Sequence, residues 1–167
     1  MKYKNLKNIK IVPREKKIGR SCVARKVISC TIDNEPIILK YHGNKKQYGN
    51  EKNIYILLQN ETFLPILKYF DDENYILCLT DCGDILQHRV SMDPKFSLKD
   101  YDTQLTTIID IMSNKYGIFH NDLRPQNICI DNNNNIKLID FDATSNVMKE
   151  EKYIFRTTKH KFRTVYR

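Results

Sequence analysis

Residues 119–142, FHNDLRPQNICIDNNNNIKLIDFD, constrain this chain more than any other stretch. Two short β-rich runs, NICI and IKLI, are joined by DNNNN. Asn tolerates the left-handed backbone that a tight turn needs, so the Asn run predicts a hairpin. Three polar residues then stand beside apolar ones. Asp122 lies in the turn before the hairpin, Asn127 opens its first strand, and Asp140 follows its second. A closed hairpin brings these oxygen-bearing side chains together at one end. Oxygen-only donors suit Mg²⁺, which is usually held by one or two carboxylates together with phosphate. Asp122 is then available to accept a proton or orient a hydroxyl.

The rest of the pattern predicts an α+β chain ordered as strands, helix, strands, helix, hairpin and basic tail. Residues 17–41 read as strands around Gly19, with DNEP as a turn and IILKY as a short apolar strand ending near Lys40. HGNKKQYGN reads as a loop. A helix over about 50–60 puts Glu51, Ile54, Tyr55 and Leu58 on one face, so that a carboxylate interrupts an apolar stripe. TFLPILKYF and YILCL read as strands around the acidic turn DDEN. Ser97 can cap a second helix, with Asp100 three residues on. Leu98, Tyr101, Leu105, Ile108, Ile109 and Met112 form the stripe of that helix, and Gly117 can end it. A sheet-rich first half and a helix-led second half predict a ligand cleft between them.

At 167 residues the chain is long enough for one domain with its own core. No apolar run approaches the ~20 residues of a membrane span, and the basic N-terminus lacks the apolar centre of a signal peptide. A soluble, intracellular and cytoplasmic protein with no membrane partner is therefore expected. Five scattered cysteines, Cys22, Cys30, Cys78, Cys82 and Cys129, read as free thiols in a reducing compartment. The net charge of +8 is uneven: residues 1–26 carry ten Lys/Arg against one Glu, and residues 145–167 seven against two. Basic ends on an acidic middle are compatible with nucleic acid, with an acidic partner, or with simple solvation.

His120-Asn121-Asp122-Leu123-Arg124-Pro125-Gln126-Asn127 resembles the catalytic loop of protein kinases, H-R-D-L-x-x-x-N, and Asp140-Phe141-Asp142 resembles their D-F-G motif at the matching distance. Ile38-Leu39-Lys40 is similar to the V-A-I-K strand, and Asn50-Glu51-Lys52 to the start of the regulatory helix. LCLTDCGD resembles a kinase hinge, with Leu79 as gatekeeper and Thr80, Asp81 and Cys82 offering backbone to adenine. FRTVYR resembles the segment before A-P-E. The resemblance implies a bilobal α+β fold with an N-lobe over 1–79, a hinge over 80–84 and a partial C-lobe over 85–167. It implies phosphoryl transfer from ATP with Mg²⁺ to a protein hydroxyl. On that footing Asn127 and Asp140 hold the metal. Lys40, steered by Glu51, grips phosphate, Gly19 and Ser21 belong to the phosphate loop, Asp122 is the base, and Arg124 stabilises the transferred group. His120 is expected to pack under the loop rather than do chemistry.

Four features depart from the family pattern. The glycine-rich loop IGRSCVARKV keeps Gly19 but carries Ser21 and Cys22 where the family has close backbone approach. Asn121 replaces the Arg that answers a phosphorylated activation loop, which implies no such switch. Asp142 replaces Gly, and the combination HNDLRPQN with LIDFD more closely resembles aminoglycoside and choline kinase-type enzymes and some lipopolysaccharide kinases. The sequence reaches Arg167 before A-P-E, so a partner or a second copy covering the absent C-lobe helices is expected. Two other readings accompany the protein kinase one: a catalytically weak kinase-like decoy or scaffold, and a small-molecule or lipid-type kinase.

Overall fold

The computed structural model describes residues 12–13, 27–32, 34–92, 99–148, 153–156 and 161–164. Gly19, Ser21, Cys22, Ser97, Leu98 and most of both basic ends lie outside the described residues.

The first half is a five-stranded antiparallel sheet. Its strands are β1 (Val12–Pro13), β2 (Val27–Ile32), β3 (Glu35–Tyr41), β4 (Leu67–Asp71) and β5 (Ile76–Thr80), in the order β1-β2-β3-β5-β4. Side chains alternate faces along a strand. On β3, Ile37 and Leu39 therefore join Cys30, Ile32 and Cys78 in a small core on one face. Ile38 and Lys40 point the other way and line the cleft. Leu77 and Leu79 of β5 are buried in the larger core, which continues into the second half.

Helix α1 (Lys45–Leu57) begins five residues earlier than its apolar stripe indicates. The Asn44 side chain accepts from the Gln47 N–H at 3.0 Å, satisfying one of the unpaired donors of the first turn. The expectation of a loop through residue 50 is thus corrected. The stripe itself holds, since Glu51, Ile54, Tyr55 and Leu58 are all buried. The expected strand at TFLPILKYF is also shorter. Thr62–Ile66 is irregular and pairing starts at Leu67, after Pro65, which has no N–H to give a ladder.

The second half opens with β6 (Asp84–Ile85) and a short helix α2 (Leu86–Met92), for which the sequence shows no clear stripe. Helix α3 (Lys99–Asp110) runs on through a π-helical turn (Ile111–Lys115). Leu105, Ile108, Ile109 and Met112 are buried. Gly117 closes the end at φ +62°, with the Ile118 N–H returning to the Met112 carbonyl at 3.0 Å. The hairpin β7 (Ile128–Ile130) and β8 (Ile136–Leu138) adds to β6 as a second antiparallel sheet. Its turn is tied by Asp131, which accepts from the N–H groups of Asn133 and Asn135, and Asn134 takes φ +61°. Strands β9 (Tyr153–Arg156) and β10 (Lys161–Thr164) form a separate hairpin. No helix among the described residues is long and apolar enough to cross a membrane. The architecture is α+β and two-lobed, with the cleft where the two sheets face each other.

Candidate functional site

The cleft is roofed by β3 and floored by β7 and the residues after β8, so Lys40, Asn127 and Asp140 all line it. Lys40 is the hub. Its Nζ donates to both oxygens of Glu51, at 2.8 and 2.7 Å, and to Asp140 Oδ1 at 2.7 Å. An ammonium has three donors, and all three are used. Glu51 is wholly buried. Burial alone would raise its carboxyl, yet the Lys40 charge and the His42 hydrogen bond hold it below the usual range. Burial likewise works against the Lys40 charge, and the two carboxylates more than offset it. The lone carboxylate on the α1 stripe is therefore the partner of the lone lysine on β3.

Asp140 has φ +67°, a left-handed backbone that side chains rarely take. That turn aims its carboxylate back at Lys40. On the opposite wall, Asn127 Nδ2 donates to Asp122 Oδ2 at 2.7 Å and to the Asp122 carbonyl at 2.9 Å. Arg124 Nη2 lies 3.1 Å from the same Asp122 oxygen. Asp122 is thus fixed from two sides and is not itself a lining residue. With its amide nitrogen used, Asn127 offers the cleft its oxygen. One carboxylate and one amide oxygen form a hard-donor pair that fits Mg²⁺ arriving with phosphate, and among the described residues no cluster of three His, Cys, Asp or Glu forms a self-sufficient metal cage.

At the other end of the cleft lies the connection from Leu79 to Gly83. The Thr80 N–H donates to the Ile66 carbonyl and the Asp81 N–H to the Pro36 carbonyl, both at 3.0 Å. Those two N–H groups are therefore already engaged within the protein. Gly83, at φ +98°, turns the chain so tightly that a Cβ there would come 2.2 Å from the Ile130 carbonyl oxygen.

Behind the polar groups is an aromatic stack. The Phe141 ring lies 5.3 Å from Tyr55 and 4.9 Å from His120. His120 Nε2 donates to the Ile139 carbonyl at 3.0 Å, and burial pushes its pKa down to about 4. It is a neutral packing residue, as expected.

Two asparagines clamp the segment that follows Asp140. Asn50, next to Glu51 on α1, donates to the carbonyls of Asp142 and Thr144 at 2.8 and 3.0 Å and reaches that of Phe141 at 3.4 Å. Asn121 donates to Ser145 Oγ at 2.9 Å and to the Val147 carbonyl at 3.1 Å. Sequence reasoning did not single out Asn50 or His42, and it read Asn121 only as a missing arginine. The available signal for His42 was its parity, two residues beyond Lys40.

Comparison with known proteins agrees with this geometry. A family model described as protein kinase domain matches residues 13–165. A probable serine/threonine-protein kinase of Dictyostelium discoideum is 30% identical over 159 residues, covering 94% of this chain and 34% of that protein. Serine/threonine-protein kinase ppk31 of Schizosaccharomyces pombe is 28% identical over 116 residues, covering 65% of this chain and 11% of that protein. A probable KIN1 homologue of Enterocytozoon bieneusi is 29% identical over 138 residues, covering 82% and 20%. The chain thus spans about a third or less of the length of these curated relatives.

Proposed function

The chain belongs to the protein kinase domain family, and from that premise we propose that it binds ATP with Mg²⁺ in the cleft and transfers the γ-phosphoryl group to a serine or threonine hydroxyl of a protein. The observation that carries this reading is the joining of Glu51, Lys40 and Asp140 across the two lobes, opposite the Asp122–Asn127 pair. Phosphoryl transfer asks a protein mainly to position groups and to neutralise charge. Lys40 supplies a fixed cation for phosphate oxygens, and Glu51 sets its direction. The oxygens of Asn127 and Asp140 would hold Mg²⁺, whose charge offsets that of the phosphates. Asp122, steadied by Asn127 and Arg124, accepts the proton of the attacking hydroxyl as the new O–P bond forms and the bond to the β-phosphate oxygen breaks. Arg124 lies close enough to Asp122 to serve the transferred group as well.

Ligand binding to the native state raises its melting temperature. Thermal melts with and without millimolar MgATP are expected to shift upward for the wild type, and Asp140→Asn should remove the Mg²⁺-dependent part. A wild type that ignores MgATP would refute nucleotide binding. A wild type that binds it but phosphorylates no protein in an acceptor panel would favour the decoy or small-molecule readings over transfer to protein.

A further inference from the structure

Glu51 has a second holder. His42 follows β3 two residues after Lys40 and is itself buried. Its Nε2 lies 2.6 Å from Glu51 Oε2. An ionised carboxylate only accepts, so Nε2 carries the proton and donates. The main chain at His42 is fixed as well: its N–H donates to the Tyr75 carbonyl oxygen at 3.0 Å. The Tyr48 ring meets the imidazole edge-on at 5.6 Å. His42 therefore links the turn between β4 and β5 to the carboxylate of α1, alongside Lys40.

We propose that His42 is a positioning residue that keeps Glu51, and with it α1, docked on the sheet when Lys40 turns to nucleotide phosphate. The proposal rests on the nucleotide reading above. All three Lys40 donors are used by Glu51 and Asp140, so any phosphate oxygen that engages Lys40 must displace one of these bonds. A wholly buried carboxylate stripped of its donors is strongly disfavoured. His42 sits on the oxygen that Lys40 reaches at 2.7 Å, so that oxygen can release the ammonium and keep a donor. Without His42, Lys40 serves Glu51 alone, and phosphate competes with the stability of the helix.

Three variants separate this role from simple packing. His42→Gln keeps an N–H donor able to reach Glu51. His42→Leu keeps bulk without a donor. His42→Asn keeps a polar side chain but is too short for Glu51. In the full chain, the MgATP dissociation constant is measured by calorimetry, and amide hydrogen exchange over residues 45–57 is followed without nucleotide. Loss of a charge-assisted hydrogen bond predicts weakening of MgATP binding by about tenfold or more in the Leu and Asn variants, with the Gln variant within about threefold of wild type. Faster exchange over 45–57 should accompany the weakening. If the Leu variant does not fold, the Asn and Gln pair makes the same comparison. Folded Leu and Asn variants that bind MgATP like the wild type would overturn the proposal. If the wild type itself binds no MgATP, the nucleotide reading fails separately. The exchange arm then decides whether His42 holds α1, and unchanged exchange in the Leu and Asn variants overturns that hold too.

Discussion

Lowering the pH from 7 to 5 is expected to destabilise the fold through His120. Its ring is buried beside Phe141, donates one hydrogen bond to the Ile139 carbonyl, and has a second nitrogen, Nδ1, with no partner among the described residues. Protonation would place a charge in a buried site, and burial outweighs the pull of the Ile139 carbonyl, Asp140 and Glu51, lowering the pKa from 6.5 to about 4. In the unfolded chain the ring titrates near its ordinary value, so below about pH 6.5 the unfolded state binds the extra proton and gains on the native one. The contribution is intact above that pH, declines as pH falls, and levels off near pH 4. Linkage over this window gives a loss of about 2 kcal/mol between pH 7 and 5, and about 3 kcal/mol by pH 4. Urea unfolding at pH steps from 7 to 5, on the wild type and on His120→Phe, measures it. Phe preserves the ring contact and removes the titration. It also leaves the Ile139 carbonyl unpaired, which costs stability by a pH-independent offset. The wild type should lose about 2 kcal/mol more than the variant over this range, since carboxylates titrating in common cancel. Parallel pH profiles would refute the argument.

Three further outcomes follow from packing and backbone. Gly83→Ala combines a left-handed φ with a Cβ placed 2.2 Å from the Ile130 carbonyl oxygen, so the hinge must shift. A loss of about 2 kcal/mol or more in denaturant unfolding is expected, and a neutral result would contradict the close approach. Asn121→Ala removes the donors that reach Ser145 and Val147. It should cost about 1–3 kcal/mol and speed hydrogen exchange over residues 143–147, and unchanged exchange there would show that the clamp is not what holds the segment. Leu138→Ala empties a site with no solvent exposure in the larger core. Its expected cost is about 3–5 kcal/mol by chemical denaturation, and a value under 1 would mean that the site collapses freely.

Much of the site was legible because it follows simple periodicities. Two-residue alternation on β3 separates Ile37 and Leu39 from Ile38 and Lys40, and helical spacing puts Glu51 in line with Ile54, Tyr55 and Leu58. Glu51 looked anomalous on its apolar stripe, and Lys40 explains it. The Asn-rich turn was readable from its own chemistry. The start of α1 was not, because Lys45–Gln47 is polar and exposed or nearly so, Gly49 discourages a helix, and the Asn44 cap stands seven residues ahead of Glu51. Helix α2 buries little beyond Leu86, so it leaves hardly any stripe to find. Asn50 and Asn121 escaped for a different reason. Most of their acceptors are main-chain carbonyls, some of them more than 90 residues away for Asn50, and a carbonyl looks the same in every sequence.

The paired amides on the segment after Asp140 carry no formal charge, and neither do the carbonyls and the hydroxyl that receive them. Dissolved ions screen charges and leave neutral hydrogen bonds nearly untouched. A segment fastened in this way keeps its seat as ionic strength rises, whereas one fastened by arginine on phosphate would loosen. The seating of residues 142–147 is thereby made nearly indifferent to the salt around it.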